Sequence, residues 1–238
     1  VKIDFPFPGG KAKIRDELFP FFPEDGDVYI EPFVGRGNIF FEWYKRSCFK
    51  GFWINDLYNW RFFTSLKQAD LALLPDEVHD YNFENWVTKW IIGDPIAYVL
   101  EPKITFRGKG YLSGFQVGRY HKTRYTRLLS AAQCIVRDSR VQITGTDYTH
   151  LPWDSYDEED FCYLDPPYED SKGVGLGSID HSELITILKK TKCRWALSGY
   201  QSELYLRELG DPVLELNRHI EMTDEPGSMA LECLWTNY

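Results

Sequence analysis

The feature that most constrains this chain is a pair of glycines set between an apolar strand and a helical stretch. Val28–Phe33 reads as a buried strand, and Gly35-Arg36-Gly37 then forces a tight turn. Asn38 is placed to cap a helix from about 39 to 47, and Phe49–Ile54 reads as a second strand ending at Asn55-Asp56. Strand, Gly turn, helix, strand is the opening of a parallel α/β sheet. With 238 residues the chain has enough length for one domain with a well-buried core.

The remaining pattern extends that sheet. Residues 12–21 fit a short helix, Tyr81–Ile92 another, and 123–137 a third with Tyr125, Leu128, Leu129 and Ala132 on its apolar face. Val141–Ile143, Phe161–Leu164, Cys193–Leu197, Val213–Leu216 and Leu231–Trp235 read as strands. His181–Lys190 reads as a helix capped by Asp180, and Ser202–Leu209 as the next. Residues 101–122 hold Pro102, Gly108, Gly110, Gly114 and Gly118 among basic and aromatic residues, which suits a substrate-facing insertion rather than sheet core. The expectation is one α/β domain over 1–238 with an inserted lobe near 80–125.

Two groups of residues carry chemistry. The first is a nucleotide-like pocket. The position where a dinucleotide fingerprint needs its third Gly is Phe40, and no GK[ST] ending follows, so the ligand is a nucleoside without an essential pyrophosphate. Asp56 lies nineteen residues beyond Gly37. It suits either a helix cap or a ribose-binding carboxylate, and the Gly turn in register before it favours ribose. Asp147 could accept from an adenine amino group, with Tyr148 flanking the ring. Lys11, after Gly9-Gly10, could pair with an acidic end of the ligand. The second group is Asp165-Pro166-Pro167-Tyr168, at the end of the strand Phe161–Leu164. A carboxylate, two ring-locked residues and an aromatic make a rigid cup for a flat nitrogenous group.

Charge and cysteine content bound the partners. The net charge of −9 argues against a general nucleic-acid binder. Yet Lys103 to Arg137 contains no Asp or Glu and eight basic residues, a clean segment that can face phosphates. Five dispersed cysteines without a CxxC fit reduced thiols, not a disulfide scaffold or a zinc site. The chain shows no signal-peptide pattern and no apolar run of membrane-spanning length, so a cytoplasmic location is expected.

Taken together the motifs resemble the D12 class of adenine-specific DNA methyltransferases, the Dam-type group. Phe7-Pro8-Gly9-Gly10-Lys11 resembles that family's amino-terminal cofactor motif, with Phe-Pro in place of the usual Lys-Trp-Ala. Glu31-Pro32-Phe33-Val34-Gly35-Arg36-Gly37, Ile54-Asn55-Asp56 and Asp165-Pro166-Pro167-Tyr168 match its other motifs in order. The resemblance covers nearly the entire chain. It implies a Rossmann-like S-adenosylmethionine-dependent methyltransferase fold with a small inserted target-recognition lobe. It implies S-adenosyl-L-methionine as methyl donor, S-adenosyl-L-homocysteine as product, and no metal. Gly10, Lys11, Glu31, Phe33, Gly35, Gly37, Asp56, Asp147, Tyr148 and Asp165 would contact the donor, Lys11 at its methionine carboxylate. Asp165 and the Pro166 carbonyl would hold the target amino group, Pro167 would stiffen the cup, and Tyr168 would stack on a flipped adenine. Duplex DNA would be the partner, met by Arg107, Lys109, Arg119, Lys122 and Arg124. A monomer with a restriction endonuclease in the same system fits the class. Amino methylation of RNA, cytosine N4 or protein glutamine is the alternative chemistry. A nucleotide- or DNA-binding protein without turnover is the alternative class.

Overall fold

The computed structural model describes residues 1–7, 9–108, 110–116, 120–168, 178–219 and 229–238. Its centre is a seven-stranded sheet of order β3-β2-β1-β4-β5-β7-β6. The strands are β1 (Val28–Glu31), β2 (Gly51–Asn55), β3 (Val141–Thr144), β4 (Phe161–Leu164), β5 (Arg194–Tyr200), β6 (Leu214–His219) and β7 (Met229–Thr236). The first five run parallel, and β7 runs antiparallel to both β5 and β6. This is a Rossmann-like α/β fold with a mixed sheet. The order reverses between β1 and β4, and the crevice at that switch point is where such sheets bind ligands.

Eight helices flank the sheet among the described residues: α1 (Arg15–Leu18), α2 (Phe40–Arg46), α3 (Trp60–Gln68), α4 (Asp80–Ile91), α5 (Pro95–Ile104), α6 (Lys122–Val136), α7 (His181–Lys190) and α8 (Glu203–Leu209). Two apolar layers result, one on each face. Tyr29, Phe161, Tyr163 and Ala196 join the layer with α2, α3, α5 and α6. Ile30, Cys162, Leu164, Trp195 and Leu197 join the layer with α7 and α8. The two-residue repeat of a strand makes this division. The same repeat places Glu31, Tyr163, Ser198, Tyr200 and Glu232 together on the first face, where polar residues gather at the crevice end.

The structure departs from the sequence reading at four places. The helix expected over 12–21 is broken into a 3₁₀ turn at Lys11–Lys13, α1, and a second 3₁₀ turn at Phe19–Phe21. Pro20 has no N–H to continue the ladder, and Lys11 and Arg15 are drawn into the interior. Asn38 does not cap α2, whose preceding residue Ile39 makes no side-chain cap. Its amide instead accepts from the Phe5 N–H and donates to the Phe5 carbonyl, both at 3.0 Å, so it fastens the amino-terminal strap. Helix α5 was not foreseen. Asp94 caps it through the Ile96 and Ala97 N–H groups, with Pro95 in the first turn, which is a legible start signal. Its Ala97, Val99, Leu100 and Ile104 join the main core, so part of the 80–125 segment is packed against the sheet layer. The final strands are longer than expected and pair along Leu214–Leu234 to His219–Met229.

Asn55 ties the crevice together. Its Nδ2 donates to the Pro32 and Thr146 carbonyls at 3.0 and 2.9 Å. Its Oδ1 accepts from Thr144 Oγ1 at 2.8 Å and the Thr146 N–H at 3.0 Å. One buried amide thus joins the ends of β1, β2 and β3. Asn55→Ala leaves several of these groups unsatisfied and is expected to cost about 2–3 kcal/mol. Urea unfolding of the variant and parent, at matched slope, checks this; a change within error would remove the clamp role.

Candidate functional site

The crevice is lined by residues at the carboxyl ends of four parallel strands: Glu31 on β1, Asp56 after β2, Asp147 after β3 and Asp165 after β4. The Gly turn follows β1. Gly35 and Gly37 adopt φ of 55° and 75°, so both positions favour glycine. A Cβ at Gly35 would lie 2.8 Å from the Phe7 ring, and one at Gly37 would lie 2.8 Å from the Phe41 ring. The close approaches are therefore to protein rings. Phe7, which replaces part of the expected motif, lies against the turn.

Asp56 serves the protein first. Its Oδ1 accepts from the N–H groups of Tyr58 and Asn59 at 2.9 and 2.7 Å and from the Asn59 amide at 3.1 Å. Its Oδ2 accepts the Gly35 N–H at 2.9 Å. The cap reading and the ligand reading are compatible, because Oδ2 has a further lone pair for a hydroxyl. Asp147 accepts from the Thr149 N–H and hydroxyl, and those bonds hold its carboxyl below the usual range. Tyr148 is buried, donates to the Asp180 carbonyl at 3.1 Å, and meets the Phe33 ring at 5.4 Å. These two rings wall the crevice near Asp147.

Glu31 is buried and accepts the Tyr29 hydroxyl at 2.7 Å. Burial pushes its carboxyl well above the ordinary 4.5; the Tyr29 bond opposes this, and the charges of Asp165 and Asp56 reinforce it. A cation beside such a carboxyl would lower its proton affinity again.

The second half of the site is built around Lys11. Its side chain is 1% exposed. The ammonium donates to Asp165 Oδ1 at 2.5 Å and to the Tyr168 hydroxyl at 2.6 Å, lies 3.4 Å from the Gly9 carbonyl, and sits 3.5 Å from Glu232 Oε1. Burial pulls its proton affinity down, but Asp165 and then Glu232 outweigh burial and hold the ammonium charged above its ordinary range. Lys11 therefore directs its donors to Asp165 and Tyr168, not to the open part of the crevice. The carboxyl of Asp165 is raised by burial, lowered by Lys11 and raised again by Glu232, for a net rise.

Tyr168 is anchored at its hydroxyl, which bonds Glu232 at 3.0 and 3.2 Å. Its ring stacks on Tyr200 with centroids 4.0 Å apart and planes 23° from parallel. Ser198 Oγ donates to Asp165 Oδ1 at 3.2 Å and also bonds the Tyr163 hydroxyl at 2.9 Å. Among the described residues, both side-chain bonds to Asp165 fall on Oδ1. Its carboxylate keeps 20% exposure. The sequence reading assigned no chemistry to Ser198 or Tyr200, and it missed Glu232 as a site residue. The signal for Glu232 was a lone acid inside an otherwise apolar strand, Leu231–Trp235.

The basic residues are scattered more widely. Lys122 pairs with Asp76 at 2.8 Å, and Arg124 is exposed one turn along the start of α6. Lys109 and Arg119 lie outside the described residues, as does the side chain of Arg107. Within the Gly turn itself, Arg36 is buried, pairs with Glu101 of α5 at 2.5 Å, and rests 4.9 Å from the Phe62 ring. Among the described residues no group of three His, Cys, Asp or Glu could hold a metal ion, and no helix is long and apolar enough to cross a membrane.

With this geometry in place, comparison with known proteins is informative for the amino-terminal part. Residues 7–70 match the D12 class N6 adenine-specific DNA methyltransferase family. That stretch holds Gly10, Lys11, the Glu31–Gly37 run and Asp56, and it stops short of Asp165. No curated protein matches the chain. One similar solved structure is titled "Putative methyltransferase yhhF from Escherichia coli", at 10% identity, with 98% of this chain and 90% of that one covered and a TM-score of 0.42. At that score the likeness carries no argument. The Rossmann-like sheet and the match over residues 7–70 are in keeping with a methyltransferase-like fold, one that suits S-adenosylmethionine.

Glu31 offers a stability test. A carboxyl raised in the folded state contributes stability that is complete below 4.5 and lost as pH rises through its folded value. Gln cannot ionise and can still accept from Tyr29. Glu31→Gln is expected to match the parent in acid and to exceed it increasingly toward pH 8, read from urea midpoints across pH. A constant difference across pH would contradict the assignment.

Proposed function

We propose that this protein transfers a methyl group from S-adenosylmethionine to the N6 amino group of adenine in duplex DNA, after the base has left the helix. The observation that carries this reading is the arrangement at Asp165: Oδ1 is taken by Lys11 and Ser198, and the carboxylate remains partly open beside an anchored aromatic pair. Oδ2 is then the acceptor for an amino hydrogen, with the Pro166 carbonyl as the second.

The donor set fits a nucleoside with a cationic tail. Asp56 Oδ2 retains acceptor capacity for ribose, Phe33 and Tyr148 wall the base end, and Glu31 is a buried carboxyl suited to face a cation. S-adenosylmethionine, when bound, supplies a methyl on positively charged sulfur. Phe33, Gly35, Gly37, Asp56 and Asp147 would hold it, with Gly10 and Lys11 closing the amino-terminal side.

The rest of the reaction falls to residues of this chain. An aromatic amino nitrogen is a poor nucleophile because its lone pair is delocalised into the ring. Two acceptors, Asp165 Oδ2 and the Pro166 carbonyl, fix its hydrogens and favour a localised lone pair directed at the methyl. As the nitrogen–carbon bond forms, the carbon–sulfur pair leaves with sulfur and positive charge arises on nitrogen. Asp165 stabilises that charge and takes the surplus proton, which passes to solvent. A carboxylate is too weak a base to deprotonate the neutral amine beforehand. Positioning and electrostatic stabilisation supply most of the rate. Tyr168 would stack on the extruded base, offsetting part of the stacking lost from the duplex.

The 80–125 segment is proposed as the recognition lobe, with Arg107, Lys109, Arg119, Lys122 and Arg124 on phosphates and bases. The protein acts as a cytoplasmic monomer, in a setting that accommodates a partner endonuclease.

Methyl-labelled S-adenosylmethionine, offered with duplex DNA, RNA and protein, tests the proposal. Digestion is expected to return label on N6 of DNA adenine, and Asp165→Ala to reduce transfer at least about 100-fold while donor binding persists. Label confined to RNA, cytosine or glutamine would falsify the acceptor, and near-parental transfer by the variant would remove Asp165 from the chemistry.

A further inference from the structure

Glu232 is an isolated carboxylate on β7, 1% exposed, on the strand farthest in sequence from the Gly turn. Strand pairing sets it directly across from Tyr200. The two-residue repeat brings both, with Ser198, to the face that carries Asp165 and Lys11. Its oxygens accept the Tyr168 hydroxyl, and Oε1 lies 3.5 Å from the Lys11 ammonium. One buried cation thus stands between two carboxylates.

We infer that Glu232 is a positioning residue for the proposed methyl transfer: it shares Lys11 with Asp165 and holds the Tyr168 hydroxyl, so that Asp165 stays a strong acceptor and Tyr168 a fixed stacking plane. The inference rests on the reading of Asp165 as the amino-group acceptor. Without Glu232, Lys11 would neutralise Asp165 alone and weaken it as an acceptor. With Glu232 ionised, the trio carries one surplus negative charge, placed where positive charge develops on the acceptor nitrogen. The groups facing Asp165 are Lys11 from the amino-terminal strap, Glu31 from β1, Tyr163 from β4, Tyr168 after β4, Ser198 from β5 and Glu232 from β7. Of these, Lys11 lowers the proton affinity of Asp165 and Glu232 raises it. A purely architectural Glu232 would anchor Tyr168 and leave the titration of Asp165 alone.

The test is carboxyl carbon NMR of the full chain, labelled at Asp and Glu and titrated across pH. In the parent protein the Asp165 signal should give a midpoint above the ordinary carboxylate value. In Glu232→Gln the Asp165 midpoint should move to lower pH. The same variant should lose about 10- to 100-fold in kcat with little change in KM, and the acid limb of its pH profile should follow the NMR midpoint. Glu232→Asp, which keeps the charge, should recover part of the rate. An unmoved Asp165 midpoint in folded Glu232→Gln would overturn the inference. The titration needs no turnover. A wrong acceptor therefore shows up in the labelling panel, whereas a wrong role for Glu232 shows up here.

Discussion

The ammonium of Lys11 is the interaction on which the site depends. A charged side chain buried this deeply survives only with partners, and Lys11 has two carboxylates and a phenol. Those partners come from places distant from it in sequence: the segment just after β4, and β7. The strap is held by Asn38 at Phe5, by Arg15 on Asp4 at 2.6 Å, and by Phe7 against Gly35. The amino terminus is thereby sewn across the switch point, and the two halves of the crevice share a wall.

Strand periodicity does most of the arranging. Alternate residues of β1, β4, β5 and β7 contribute either to the layer under α7 and α8 or to the polar face of the crevice. Glu31, Asp165, Ser198 and Glu232 follow from one geometric rule once the register is set. The Arg36–Glu101 pair adds a link of another kind. It joins the Gly turn to α5, so the nucleoside end of the crevice and the 80–125 segment share a buried ion pair.

Much of this was legible in the sequence, for physical reasons that differ by element. The Gly turn after Val28–Phe33 forced the strand-turn-helix geometry, and Asp180 announced α7 through its cap to Ser182 and Glu183. Asp165 and Asp56 were recognisable because each closes an apolar strand run, Phe161–Leu164 and Phe49–Ile54. The broken helix over 12–21 was less legible: apolar spacing at Ile14, Leu18 and Phe21 resembled a helix, while Pro20 and the inward pull of Lys11 and Arg15 decided otherwise. Asn38 looked like a cap, but its long-range bonds to Phe5 won. Glu232 became a site residue only through cross-strand pairing, which no local window reveals, and the same pairing sets where Ser198 and Tyr200 stand.

The dependence on Lys11 can be measured directly. Lys11→Met keeps the stem and removes the charge, leaving Asp165 and Glu232 buried against each other. At pH 8 the variant is expected to lose about 3–5 kcal/mol of stability. The deficit should shrink as pH falls toward 4, when a carboxyl can take up a proton in place of the missing cation. Chemical unfolding of parent and variant across that range gives the answer. A deficit that grows with pH is the predicted result; one that is small, or the same at both ends, would contradict the account of a site built around a shared lysine.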